Sequence, residues 1–406
     1  PVIIERGRRV EERAADIRKF FETGVLDTAS NVQFGEGGAG AFSDGKLNTQ
    51  TNDARNRDVI DTFVRFGAPA EVGYLGKPHV GSDNLKKVVA AMRAHILACG
   101  GEICYSETLT DVHVRNGRIE EIVTTRGTRA CDALVLAIGH SARDTFEMLL
   151  SRGLVMEQKE FAVGVRIEHL QAAIGRAQYG AGYAALPAAD YKLVSHASER
   201  AVFTFCMCPG GVVIPAASEE GGVVTNGMSD FARDGRNANS ALVVQVRRSD
   251  FASEHPLAGV AFQRKLERAA FRAAGGGYKA PVQLTGDFLA DKESYYFGEV
   301  KPTYAAGTSF VPMQAIFPRA ITDAMKAALP EMDARLAGFA AYESVLTGVE
   351  SRTSSPVRIV RDGKTLQAAG IAGIYPCGEG CGYAGGITSA AADGIRVAEA
   401  IADGCR

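Results

Sequence analysis

The residues most suited to chemistry in this sequence are two glycine loops. Gly35, Gly37 and Gly40 fit the spacing G-x-G-x-x-G, and so do Gly380, Gly382 and Gly385. Glycine lets a backbone approach a phosphate or a planar ring closely, and a helix that starts after such a loop offers unpaired N–H groups to an anion. The second loop leads into a helix amino terminus at Gly386-Ile387. The first comes after Asn31-Val32-Gln33-Phe34 and runs into Phe42-Ser43-Asp44-Gly45-Lys46 instead of an apolar helix. Neither loop has a ribose-binding acid about 20 residues later, so each is either a nucleotide cradle or a turn that packs a helix against a strand.

Other side chains with chemical potential are fewer. Cys206-Met207-Cys208-Pro209-Gly210-Gly211 is a redox pair or substrate-facing loop, or else ordinary packing. Packing is favoured, because adjacent extended residues point to opposite faces and a C-x-C disulfide would be strained. Cys377 and Cys381 lie inside the second glycine loop with no evident partner ligands, and no metal site is expected. Among the histidines, His79, His140 and His196 stand out as candidate proton shuttles, His140 most of all because it comes directly after Gly139. Arg352, in Glu350-Ser351-Arg352-Thr353-Ser354-Ser355, either clamps a carboxylate or phosphate or sits in a turn capped by its hydroxyl neighbours.

The elements that must position these groups are legible in part. Pro1 to Gly7 reads as a buried parallel strand with Glu5 at its carboxyl end. In a dinucleotide-binding unit this is the second strand, whose acid takes the adenosine ribose. The expectation is then an amino-terminally truncated domain with an exposed strand edge and poor solubility, while the alternative is a plain edge strand with a solvated Glu5. Leu85, Val88, Val89, Met92 and Ile96 mark a helix capped by Ser82 or Asp83 and stopped at Gly100-Gly101. Asp111–Val114 and Ile119–Thr124 form a hairpin through Asn116-Gly117, and Asp132 to Gly139 a fully apolar strand. This order suggests a doubly wound α/β domain. From about Leu154 the texture changes to short strands, glycine turns and two amphipathic helices around Phe262–Ala274 and Ile321–Leu329. Strand, glycine loop and helix then return. The expected division is 1–153 and 351–406 for a Rossmann-like domain, with an α+β domain inserted at 154–350.

Composition sets the bounds. With 406 residues and 46% apolar content the chain can bury at least one sizeable core. Forty-five Lys and Arg against 47 Asp and Glu leave no global field toward nucleic acid or anionic membrane. No apolar run approaches the roughly 18 residues of a membrane span. Eight cysteines are too sparse for a disulfide scaffold, so they are read as thiols in a cytoplasmic protein. The glycine excess, 46 residues, is clustered, which points to close backbone approach to a ligand.

Together, the stretches PVIIERG, QFGEGGAGAFSDGKLNT, LAIGHSARDT, FCMCPGG, TGVESRTSSPVRI and YPCGEGCGYAGGITSAAADGI resemble those of bacterial FAD-dependent dehydrogenases of the uncharacterised NAD(FAD)-utilising group, distant relatives of the glutathione-reductase-type flavoproteins. The resemblance covers essentially the whole chain, except that the family's first strand and its glycine turn have no counterpart here. It implies that Glu5 takes the adenosine ribose, with Arg6 and Arg13 near the adenosine or pyrophosphate. Gly38, Ala39, Phe42, Ser43 and Lys46 would pass the flavin ring and ribityl chain, with Gly139 nearby. Gly378 and Glu379 would meet the ribityl and phosphate region, and Gly386 with Ile387 would aim the final helix at the pyrimidine edge of the flavin. The expected activity is hydride transfer between flavin N5 and a small organic substrate, with His140, Arg352 and Cys208 as candidate catalytic residues and NAD(P)H at most a transient donor. The alternative is a flavoprotein fold that binds a nucleotide or partner without turnover.

Overall fold

The computed structural model describes residues 1–404. The amino-terminal stretch contains β1 (Val2–Glu5), α1 (Val10–Thr23), α2 (Arg55–Arg65), α3 (Ser82–Ala98), β2 (Glu102–Tyr105), β3 (Leu109–Arg115), β4 (Arg118–Thr124), β5 (Gly127–Ala130), β6 (Leu134–Leu136), α4 (Arg143–Ser151) and β7 (Met156–Gln158). The β-branched residues of β1 pair in parallel with β2, Val2 opposite Glu102 and Glu5 opposite Tyr105. β1 is not the buried strand expected, since Val2 is 50% and Ile3 40% exposed. The anticipated hairpin is present as β3–β4, with Asn116 and Gly117 at φ 51° and 74°, the paired positive angles a two-residue turn of this hand requires.

α3 covers the apolar pattern read from the sequence, but its cap differs. Gly81, at φ 77°, precedes the helix, while Ser82 and Asp83 lie in the first turn and reach across to residues 230 and 231. Their side chains serve a tertiary contact instead of the helix's own N–H groups.

The second stretch contains β8 (Phe161–Leu170), α5 (Gln171–Tyr179), β9 (Val194–Ser195), β10 (Val202–Cys208), β11 (Val212–Pro215), β12 (Thr225–Met228), β13 (Asn237–Val246), α6 (Ala258–Ala273), β14 (Ala280–Leu284), α7 (Thr285–Leu289), β15 (Thr308–Phe310), α8 (Arg319–Arg335) and β16 (Val345–Glu350). Seven of these strands form one sheet in the order β15-β14-β16-β8-β13-β10-β9. Its spine is the ten-residue antiparallel pair β8–β13, longer than the short strands expected. Val163, Val165 and Ile167 face one side, where they join a core with Leu266 of α6 and Met325, Leu329 and Met332 of α8. Arg166 and Glu168 alternate to the other side, as the two-residue period of a strand dictates. There the hairpin β11–β12 covers them, with Asn226 and Thr225 reaching Arg166 and Glu350.

The chain leaves the seven-stranded unit beside its point of entry, because β17 (Val357–Ile359) pairs antiparallel with β7. β18 (Ile374–Pro376) then pairs in parallel with β6, and α9 (Ile387–Gly404) comes last. Instead of one doubly wound sheet, the structure therefore has two separate parallel pairs, β1–β2 and β6–β18, and no described strand joins them. β6 is also shorter and more open than the apolar strand expected from Asp132 to Gly139, with Val135 exposed. Of the stretch assigned to 351–406, residues 405 and 406 lie outside the described residues. Among the described residues no helix is long and apolar enough to cross a membrane.

Candidate functional site

The first glycine loop is shaped from within by an arginine. Arg13 projects from α1, is wholly buried, and donates to the carbonyls of Asn31 (2.7 Å), Val32 (2.8 Å), Gly35 (3.3 Å) and Glu36 (2.7 Å). A Cβ on Gly35 would lie 2.4 Å from the Arg13 side chain, so that position must be glycine. Glu5, at the carboxyl end of β1, accepts from the amides of Gly7 (2.8 Å) and Gly35 (3.0 Å). Arg6 lies over the Phe34 ring at 4.4 Å and donates to Asp144 and Thr145. Beyond the bend, Gly38 has φ 59° and open space around it, and Ala39 begins a single short helical turn that ends at Phe42. The buried Phe42 ring sits between Arg13 (4.7 Å) and Lys86 (5.0 Å). Ser43 donates to the Gly40 carbonyl at 2.7 Å, and Lys46 donates to the Met207 carbonyl.

The second loop meets the first. Ile387, the first residue of α9, packs 3.3 Å from where a Gly40 Cβ would be, and Thr388 Oγ1 donates to the Leu47 carbonyl at 2.6 Å across 341 positions of sequence. A Cβ on Gly380 would come 2.3 Å from the Gly139 carbonyl oxygen, so the end of β6 and the loop touch backbone to backbone. The Gly378 amide donates to Asp393, which Arg361 grips with two further bonds. Gly385 and Gly386 face open space at the start of an 18-residue helix. Burial raises the Glu379 carboxyl to about 7, opposed by Lys159. Burial likewise pushes the thiols of Cys377 and Cys381 up to about 12.

Between the loops runs a buried ionic seam. Arg352 makes two 3.0 Å bonds to the Glu267 carboxylate, and Arg143 makes two more at 2.8 and 2.9 Å. Burial alone would raise that carboxyl, but the two guanidinium groups hold it well below the usual range. Arg352 also donates to Ser141 Oγ at 3.0 Å, which lies 3.0 Å from His140 Nδ1 and 3.2 Å from Gln33 Oε1 of the first loop. His140 is held neutral, its pKa lowered to about 4 by burial and by the adjoining arginines.

The structure thus brings Glu5, Arg6, Arg13, Gly38–Lys46, Gly139, His140, Arg352, Gly378, Glu379, Gly386 and Ile387 into one region. Arg352 does grip a carboxylate, but one supplied by the chain itself. Cys208 adjoins the region beside the Lys46–Met207 contact. Its buried thiol is pushed up to about 12 and donates to the Cys206 carbonyl, and neither cysteine is in a disulfide. His79 stacks on Phe231 beside Lys46, whereas His196 is exposed. Arg143 and Glu267 were missed from the sequence. Glu267 carried a signal: it falls on the apolar face of an amphipathic helix with Leu266 and Ala270, and a buried acid there demands cations.

Residues 160–353, which span the seven-stranded unit, match the family model described as FAD-dependent protein, C-terminal domain-like. An uncharacterized protein of Clostridium beijerinckii is 50% identical over 405 residues, covering 99% of this chain and 76% of that protein. The chain belongs to the family of this clostridial protein. Among solved structures, an oxidoreductase from Methanosarcina mazei is similar at 12% identity and a TM-score of 0.31, over 86% of this chain and 66% of that one. Glycine oxidase from Bacillus cereus matches at 10% identity and 0.32, over 81% and 57%. The chain therefore spans slightly less than two thirds of the first and just over half of the second. CtdE in complex with FAD matches at 11% and 0.32, over 98% and 83%.

Proposed function

We propose that the protein is an FAD-dependent oxidoreductase acting on a small organic substrate, with 1–153 and 351–406 forming the cofactor domain and 154–350 covering the flavin face. The observation that carries this reading is the meeting of the two glycine loops at Gly40 and Ile387, beside the open amino terminus of α9. The residues present fit FAD. Glu5 stands at a strand end for a ribose, although it already accepts two amides, and Arg6 adds a cation close by. Gly38, Gly385 and Gly386 leave space that any side chain would fill. Gly378 and Glu379 line the approach to the phosphates, and a Glu379 carboxyl raised to about 7 spares them a fixed negative charge.

Bound FAD supplies hydride chemistry at its N5 atom. The α9 amino terminus would favour negative charge on the reduced cofactor, and Ala39, Phe42, Ser43, Lys46 and Gly139 are the residues that would hold the flavin portion. His140, neutral and held through Nδ1 by Ser141, keeps Nε2 for a substrate hydrogen bond. Arg352 is a positioning residue, its guanidinium committed to Glu267 and Ser141. Cys208, protonated and packed, takes no part.

The test is the visible spectrum of the purified protein, with chromatography of any flavin released on denaturation. A flavin spectrum that bleaches with dithionite, and FAD as the released species, is the expected result. A colourless protein that takes up no added FAD overturns the proposal in favour of binding without turnover.

A further inference from the structure

α6 has two contrasting faces. Gln263 and Glu267 point inward to Arg143 and Arg352, while Ala261, Arg264, Lys265, Arg268 and Arg272 line an outward cleft of about 470 Å3. At 100° per residue these five positions fall within one narrow stripe, about 17 Å long at 1.5 Å per residue. Arg264 is held by Glu219 and Glu147. Lys265, Arg268 and Arg272 are exposed, and among the described residues their side chains make no hydrogen bond or ion pair. Like charges three and four apart on a helix repel, and the acids on this face, Glu219 and Glu147, are bonded to Arg264 and make no ion pair with Lys265, Arg268 or Arg272 among the described residues. A chain with 45 basic and 47 acidic residues has no overall cationic bias, so the stripe is a local concentration of charge.

We propose that this stripe docks a small acidic electron-carrier protein. The inference rests on the oxidoreductase reading, because a flavin reduced or oxidised by substrate must exchange electrons with a second reactant. Three considerations favour a carrier protein. The stripe spans several helical turns, which suits a row of carboxylates better than a compact phosphate. Charge-steered contacts of modest area are the usual mode of transient electron-transfer partners. The stripe also lies on the face of α6 opposite Glu267, whose partner Arg352 donates to Ser141 beside His140. In each encounter one electron would pass between the carrier's iron–sulfur centre and the flavin. Two encounters, with protons exchanged with water, would balance a two-electron change at the flavin.

The experiment titrates the purified holoprotein with a plant-type [2Fe–2S] ferredoxin, an acidic carrier, by calorimetry at low and high salt, with a basic cytochrome c as control. Expected are ferredoxin binding that weakens with salt, no cytochrome binding, and at least a tenfold loss in the Lys265→Glu/Arg268→Glu/Arg272→Glu variant with flavin content and dithionite bleaching unchanged. The corresponding triple glutamine variant guards against misfolding and should lose affinity to a smaller degree. Absence of ferredoxin binding, binding indifferent to these variants, or preferential uptake of single-stranded RNA or phosphatidylglycerol vesicles by the stripe would overturn the proposal. A protein that binds ferredoxin at the stripe yet holds no flavin would refute the oxidoreductase reading and leave the docking surface standing.

Discussion

In the first glycine loop the backbone is held from inside, by one buried arginine whose donors reach four carbonyls. In the second it is held from outside, by Asp393, by Ser355 on the Gly380 carbonyl, and by contact with Gly139. The glycine spacing is the same, yet one loop ends in a single turn at Phe42 and the other in an 18-residue helix. Spacing therefore shows where a backbone can bend closely. The segment after the bend decides whether the loop presents a helix dipole or a wall of side chains.

The largest test of this contrast is Arg13→Ala. It takes the donor from the carbonyls of Asn31, Val32 and Glu36, while Gly35 keeps the Gly38 amide, and should cost about 4 kcal/mol in urea unfolding, with loss of flavin on the proposed reading. A loss below about 1 kcal/mol would mean that the first loop holds its shape without the arginine. Gly380→Ala should cost about 3 kcal/mol, because its methyl meets a backbone oxygen that cannot move aside; an unchanged melting temperature would deny the close approach to Gly139. The pH response should also separate the two loops. His140, tied to the first loop through Ser141, has its folded pKa depressed to about 4, so the unfolded chain takes up the proton first as the pH falls below about 6.5. Stability should drop by about 2 kcal/mol by pH 5, and His140→Asn should flatten that window. Glu379, in the second loop, has the opposite sign. Its folded pKa is raised to about 7, so its contribution is full below about 4.5 and is lost as the pH climbs to 7. Glu379→Gln should therefore remove a decline on the neutral side, and a stability curve identical to the parent's between these values would contradict its burial. The smallest effect on stability is expected from Gly386→Ala, within about 0.5 kcal/mol because nothing lies near the added methyl. The same change should weaken FAD retention at least tenfold, measured by ultrafiltration, if that space is the cofactor's.

Local signals carried much of the fold. The Asn116-Gly117 turn, the apolar rows of α3 and the two amphipathic helices α6 and α8 each arise from short-range periodicity or turn chemistry. Sheet connectivity did not, because strand order depends on contacts across hundreds of residues, and β6 and β18 meet only once the intervening chain has folded. The loops and His140, singled out in the sequence because glycine clusters and an imidazole after a strand are unusual residue types in unusual places, lie in one region of the structure. The partners of Arg352 were not. The sequence shows a cation among four hydroxyl residues, while the carboxylate that occupies it stands 85 positions away on α6.

The contact between Thr388 and Leu47 has a consequence for biosynthesis. On a ribosome that adds about 5 to 20 residues per second, Gly40 and Leu47 emerge roughly 20 to 70 s before the helix that completes their surroundings. Through that interval the nascent chain holds an unfinished cradle. On the proposed reading, FAD can be captured only after α9 has been made, and until then the two loops stand open to proteolysis.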